Sequence, residues 1–178
     1  LAVEGSVLWL LGGNDTLICN LRREAKARCV DPERLIFATK LPYAEHLARY
    51  RQADLFLDTL PFNAGTTASD ALWAGLPVLT CAGEAFAARM AASLLHAVGL
   101  DEMVTYSVTD YERLALNFAT QPGRLRAIRL RLCDGRARAY LFDTDRFRLS
   151  LERAYFQMWN INQRGEAPRS FTVEPARN

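Results

Sequence analysis

The stretch from Asp58 to Thr80, DTLPFNAGTTASDALWAGLPVLT, limits what this chain can fold into more than any other part of it. It reads as strand, small-residue turn, short helix, turn and strand. Ala53 to Thr59 (ADLFLDT) is apolar enough for a buried strand. The following turn has no bulky side chain at Ala64 or Gly65, and Thr66 or Thr67 is placed to cap a helix running through Trp73. Gly75 and Pro77 end that helix and lead into a second strand, PVLTC. A helix start with free backbone N–H groups, adjacent hydroxyls and a preceding glycine is a ready anion site. The same pattern also suits a plain strand-to-helix turn, because glycine-rich turns before helices are common.

The rest of the chain repeats the strand–helix alternation, which predicts an α/β fold with a mainly parallel sheet flanked by helices. Strands are expected at Ser6–Leu11, Leu35–Thr39, Ala53–Asp58 and Pro77–Cys81. Helices are expected at Thr16–Val30, with Asn14 or Asp15 as cap, at Tyr43–Arg51 and at Thr67–Ala74. The chain then turns helical. Phe86, Met90, Leu94 and Val98 recur every four positions and predict one buried face. Thr109 and Glu112 have capping-box spacing before a helix that Gln121-Pro122-Gly123 breaks, and Leu125–Leu132 is again helical. Thr144–Gln163 reads as a long last helix whose stripe of Phe147, Leu151, Tyr155 and Met158 is read as core packing. Residues 1–165 are read as one domain and 166–178 as a loose tail. In open parallel sheets ligands sit beyond the carboxyl ends of the strands. Gly12–Asp15, Thr39–Tyr43 and Asp58–Thr67 leave those ends and are expected to line one crevice.

Composition removes several functional classes. The net charge is only +2 over 178 residues, so nothing global points to nucleic acid or an anionic membrane. No apolar run reaches membrane-spanning length, and the first five residues lack the basic end and long apolar stretch of a signal peptide. The chain starts without a methionine, which suggests a piece of something longer. Cys19, Cys29, Cys81 and Cys133 lack the close spacing of a zinc knuckle or redox pair, and are expected to be buried free thiols in a reducing cytoplasm. Asp143-Thr144-Asp145 imitates a metal-binding acidic pair but precedes a long helix, where both residue types are ordinary caps. No metal is therefore expected. The arginines between Arg124 and Arg138 form a basic face, which is most simply a solvated one.

The run DLFLDTLPFNAGTTASDALWAGLPVLTCAGEAFAARMAASLL resembles the nucleotide-sugar-binding half of the O-GlcNAc transferase/SPINDLY family of glycosyltransferases. Shorter similarities extend it through SVLWLL and LPYAEHLARYRQAD upstream and LERAYFQMW downstream, so it covers about Ser6 to Trp159. The resemblance implies the Rossmann-like C-terminal lobe of a two-lobed GT-B glycosyltransferase, with a helical C-terminal part. It implies a metal-independent enzyme without cofactor that moves a sugar from a nucleotide donor to Ser or Thr hydroxyls of proteins. By resemblance, Thr66 and Thr67 fall on phosphate-binding positions and Asp70 on an aspartate implicated in nucleotide-sugar binding. His46 falls near the nucleotide base, and Leu41 where the backbone contacts the base. Without the resemblance, Asp70 is equally a helix-dipole partner and His46 a packed or surface residue. His96 has no motif and is read as structural.

Two departures bear on the donor. Many members carry His before the threonine pair, where this chain has Gly65, and many animal-type members carry Lys where it has Tyr43. Glycine before the pair also occurs on the SPINDLY side, whose plant members transfer fucose from GDP-fucose. UDP-GlcNAc is the favoured donor because Ala68–Pro77 and Glu84–Ser93 read closer to the O-GlcNAc branch. The amino-terminal lobe, the helical repeats that often precede it, and the glutamine and lysine donor contacts expected shortly upstream of Ser6 are absent. No catalytic residue is therefore assigned within the chain. The rival readings are a GDP-fucose enzyme, a nucleotide-binding module without transfer activity, and a scaffold working through the Arg124–Arg138 face.

Overall fold

The computed structural model describes residues 3–174. Parallel strands alternate with helices through the first two thirds, as expected. The first strand, β1 (Leu8–Leu11), pairs in parallel with β2 (Leu35–Ala38) across helix α1 (Asp15–Ala27). Asn14 caps α1 by accepting from the Leu17 amide at 2.9 Å. Helix α2 (Tyr43–Tyr50) follows β2. The second sheet has the order β3 (Phe56–Leu57), β4 (Val78–Cys81), β5 (Val104–Thr105), all parallel. Helix α3 (Thr66–Trp73) connects β3 to β4, and α4 (Met90–Ala97) lies between β4 and β5. Three helices close the chain: α5 (Val108–Thr120), α6 (Pro122–Gly135) and α7 (Thr144–Gln163).

The core gathers around β4, whose four residues are all buried. Ala68, Ala71 and Leu72 of α3 pack on it, with Ala91 and Leu95 of α4, Phe118 of α5, and Leu125, Ile128 and Leu132 of α6. Alanines at 68, 71 and 91 let two helix backbones approach the sheet closely. Both α3 and α4 end in the same hydrogen-bonded turn. Gly75 (φ +84°) and Gly99 (φ +71°) take the left-handed conformation, while Leu76 N–H reaches Ala71 O at 2.8 Å and Leu100 N–H reaches Leu95 O at 2.9 Å.

Several expectations need correction. The third strand shrinks from Ala53–Asp58 to two residues, and the equally short β5 was not foreseen. The Phe86–Val98 helix begins as a 3-10 turn at Phe86–Arg89, and Phe86 is 76% exposed, off the buried face. Ser107, not Thr109, caps α5, accepting from the Asp110 amide. Only Cys81 is buried; Cys19, Cys29 and Cys133 are exposed. The α7 stripe faces outward, with Phe147 at 64%, Leu151 at 38%, Tyr155 at 60% and Met158 at 53% exposure. Its period is helical, but nothing in the described residues covers it. From 166 to 174 the chain has no regular secondary structure, and residues 175–178 of the tail lie outside the described part, as do Leu1 and Ala2.

The loop from β3 to α3 is built on Asp58, which is 5% exposed. One carboxylate oxygen accepts from the amides of Thr59 (2.8 Å) and Ala64 (2.7 Å). The other accepts from the Thr80 hydroxyl of β4 at 2.6 Å. Thr105 of β5 donates its hydroxyl to Thr80 O at 2.9 Å, so the polar chain crosses the whole sheet. Tyr111 of α5 donates to the Asp58 carbonyl at 3.0 Å. Burial first, then the Asp58 charge and Cys81, push the Tyr111 phenol up to about 12.

Two predictions arise. Gly99→Ala places a methyl in open space and bears only the left-handed backbone cost, about 1–2 kcal/mol. Gly75→Ala bears the same cost and also drives Cβ to 2.9 Å from Cys133 Sγ, adding about 1 kcal/mol of overpacking. Urea unfolding of the two variants should therefore rank Gly75→Ala as the less stable, and the reverse order would contradict the packing at Cys133. The second concerns alkaline pH. The folded Tyr111 phenol titrates above the ordinary value of 10, so its contribution is fully present below about pH 10 and is lost as pH rises toward about 12. Tyr111→Phe should flatten that part of the stability–pH curve, and an unchanged slope between pH 10 and 12 would exclude Tyr111 as its source.

Candidate functional site

Helix α3 begins where the Asp58 loop ends. Gly65 is its N-cap residue, with φ −102° and ψ −88°, and supplies no side-chain cap. Thr66 and Thr67, read as candidate caps, instead occupy the first two helical positions, both exposed. The first helical hydrogen bond runs from Ser69 N–H to Gly65 O at 3.0 Å. Among the described residues, nothing accepts from the amides of Thr66, Thr67 or Ala68, and neither threonine hydroxyl is engaged. The amides and hydroxyls of the exposed Thr66 and Thr67 thus sit at the positive end of one helix dipole, beyond the carboxyl end of β3, while Ala68 behind them is buried. A Cβ at Gly65 would lie 3.7 Å from Met90 Cε, an ordinary contact, so sterics alone do not require glycine there.

The β2–α2 segment supplies the other predicted residues. Leu41 lies in the loop after β2, Tyr43 opens α2, and His46 follows on its first turn. The Tyr43 hydroxyl donates to Asp70 Oδ1 at 2.8 Å, joining α2 to α3. That hydrogen bond, then desolvation and the carboxylate charge, hold the Tyr43 phenol above its ordinary value. The structure thus brings Tyr43 and Asp70 into contact and sets Gly65, Thr66 and Thr67 one turn before Asp70. Leu41 and His46 stand on the α2 side with no direct hydrogen bond to that group.

Two features escaped the sequence reading. Arg49 Nη2 lies 3.2 Å from His46 Nδ1, and Arg49 Nη1 donates to Thr39 O at 2.8 Å. A guanidinium only donates, so His46 Nδ1 is the acceptor in this contact. The i, i+3 spacing of His46 and Arg49 was the available signal. The second is Asp58 itself, which read as a strand terminus; its signal was a carboxylate in an otherwise apolar run.

Other candidates resolve as structural. Asp143 caps α7, accepting from the Arg146 amide at 2.9 Å, and Asp145 is exposed beside Arg148. No group of three or more metal-ligating side chains occurs among the described residues. His96 pairs with Asp101 just past α4. The basic face is largely engaged: Arg129 donates to Ala53 O, Arg131 to Glu102 and Arg136 to Trp73 O, while Arg124 lies over the Phe118 ring. Among the described residues, no helix is long and apolar enough to cross a membrane.

Comparison with known proteins bears on this geometry. The family model described as Glycosyl transferase family 41 matches residues 1–151. A probable UDP-N-acetylglucosamine–peptide N-acetylglucosaminyltransferase SEC of Arabidopsis thaliana is 39% identical over 96% of this chain and 18% of its own length. A UDP-N-acetylglucosamine–peptide N-acetylglucosaminyltransferase of Caenorhabditis elegans is 32% identical over 92% of this chain and 14% of its own. A rice relative named SPINDLY is 36% identical over 70% of the chain. Among solved structures, a mutant of the Thermobaculum terrenum O-GlcNAc transferase superposes with a TM-score of 0.81 at 34% identity, covering 86% of this chain and 30% of that one. The chain thus spans less than a fifth of the length of these curated relatives. The matched profile, the relatives and the shared fold agree: this chain belongs to glycosyltransferase family 41, the family of the O-GlcNAc transferases and SPINDLY proteins.

Proposed function

We propose that this chain is the donor-binding, C-terminal lobe of a protein O-glycosyltransferase that moves GlcNAc from UDP-GlcNAc to Ser or Thr hydroxyls. The observation that carries the reading is the start of α3, with the unengaged amides and hydroxyls of the exposed Thr66 and Thr67 at the carboxyl end of a parallel strand. In the reaction, the acceptor oxygen bonds to the anomeric carbon as the bond from that carbon to the β-phosphate oxygen breaks; UDP leaves with the electron pair, and the acceptor's hydroxyl proton is released to solvent. Negative charge grows on the diphosphate. Donors fixed in advance by the Asp58 network stabilise that charge without reorganising. Asp70 accepts from a ribose hydroxyl, and His46 and the Leu41 backbone face the base. The chemistry needs no metal, since the helix start supplies the charge stabilisation. The acceptor protein and its hydroxyl belong to the opposite side of the cleft, on the lobe that relatives carry and this chain does not span.

A second reading, a SPINDLY-type lobe using GDP-fucose, is favoured by Gly65 before the threonine pair and by the SPINDLY-named relatives. Calorimetric titration of the complete gene product with UDP and with GDP separates the two. Thr66→Val and Asp70→Ala should each weaken the preferred nucleotide about ten- to a hundredfold, the loss of a hydrogen bond to a charged group being about 1.5–3 kcal/mol. Wild-type affinity in both variants would remove the phosphate-site reading. Tighter binding of GDP would keep the site and replace the donor.

A further prediction concerns transfer. Positioning two substrates needs both sides of the cleft. This chain alone, incubated with radiolabelled UDP-GlcNAc and a cell lysate, should incorporate no label above a heat-killed control; incorporation would show that it carries a complete active site.

A further inference from the structure

Among the described residues, the Tyr43–Asp70 contact is the one side-chain hydrogen bond between α2 and α3. Tyr43 is the first residue of α2 and is 64% exposed, so its ring spans open space to reach α3. Its hydroxyl donates to Asp70 Oδ1 at 2.8 Å. Among the described residues, Asp70 Oδ2 has no hydrogen-bond partner. Asp70 lies one turn from the free amides of Thr66 and Thr67, on a helix whose inner face is locked into the core through Ala68, Ala71 and Leu72. A carboxylate on a surface turn ordinarily samples several rotamers. Here one oxygen is held by a neutral donor from the neighbouring helix and the other points to solvent, able to accept.

We propose that Tyr43 is a positioning residue of the nucleotide site: its hydroxyl holds Asp70 by one oxygen and leaves the other to accept from a ribose hydroxyl. This rests on the donor-site reading above and adds a role for a side chain that reading leaves idle. Because the phenol is neutral, it orients Asp70 without cancelling its charge. The carboxylate therefore keeps a full negative charge for one ribose hydroxyl while the other oxygen is spoken for. A donor that must offer both vicinal hydroxyls to the same carboxylate is disfavoured. The exposed face of the Tyr43 ring also offers a flat apolar surface beside the sugar.

The test uses Tyr43→Phe, which removes the hydroxyl and keeps the ring. In the complete gene product, UDP and 2′,3′-dideoxy-UDP are titrated against wild type, Tyr43→Phe, Asp70→Asn and the double variant, with GDP and its dideoxy analogue in parallel. Tyr43→Phe should weaken the preferred nucleotide about three- to tenfold, the range for one ordinary hydrogen bond, because Tyr43 acts only through Asp70. It should leave the dideoxy analogue unchanged, and should add nothing in the Asp70→Asn background. Equal losses for the ribose and dideoxy forms would make Tyr43 a mere clamp between helices and overturn the proposal. So would wild-type or tighter binding of the ribose nucleotide by Tyr43→Phe. Wild-type protein that binds neither UDP nor GDP would overturn the donor-site reading and this proposal with it, whereas normal wild-type binding with an unaffected Tyr43→Phe overturns the proposal alone.

Discussion

The arrangement depends on one buried carboxylate. Asp58 is taken out of water, and a buried charge is tolerated only where hydrogen bonds replace its hydration. Its three donors come from different places: the Thr59 amide beside it, the Ala64 amide at the far end of the loop, and the Thr80 hydroxyl on the adjacent strand. These directions leave the loop little choice of path. Thr59 and Asn63 add bonds inside it, from the Thr59 hydroxyl to Phe62 O and from the Asn63 amide to Thr59 O. The loop therefore delivers Gly65 to a fixed point, and with it the start of α3. Without that anchor, a turn of small residues would sample many conformations, and the free amides at Thr66 and Thr67 would have no defined direction.

Stability and site occupy opposite ends of the same helix. The inner face of α3 is alanine and leucine pressed on β4, and its far end closes in a glycine turn at Gly75. Its near end leaves donors unsatisfied by protein, which contributes nothing to the fold. That combination is expected of a ligand-binding helix start, where donors used internally would be unavailable to an anion. A side-chain cap from Thr66 or Thr67 would stabilise the isolated helix by about 1 kcal/mol but would engage the very groups the proposed donor needs.

The sequence was most legible where one local rule decides the outcome. The end of α3 followed from Gly75 and Pro77, although its cap proved to be Gly65 and not a threonine, and the caps at Asn14 and Asp143 followed from their position before periodic helices. The parallel α/β arrangement followed from the alternation of apolar runs and helical periods. It was least legible where two rules compete or where a partner is distant in sequence. Ser107 and Thr109 both suit a cap, and only the backbone bend at Ser107 (φ −139°, ψ 148°) separates them. Val104–Thr105 is too short to show a strand period and is held by pairing with Thr80 and Cys81. On α7 the period of Phe147, Leu151, Tyr155 and Met158 correctly announced a helix, yet periodicity names a face and not what lies against it. Tyr43 read only as a departure from a family pattern, and its contact with Asp70, 27 residues away, left no local signal.

The two halves of the candidate site are also held unequally. The α3 half has three core residues and a hydrogen-bonded loop beneath it. The other half lies on α2, which buries no residue fully and leaves Tyr43 exposed and His46 half-buried. What orders it is polar and local: Arg49 bridges Thr39 O and His46, His46 meets the Tyr50 ring edge-on at 4.8 Å, and Tyr43 reaches Asp70. Segments with few buried contacts open at lower free energy than those wedged in the core. Substitution on α2 therefore disturbs little beyond the crevice, whereas substitution beneath α3 disturbs the sheet. Of the two positions read as departures from the family pattern, Tyr43 is exposed and Gly65 half-buried, and neither lies in the packed layer against β4.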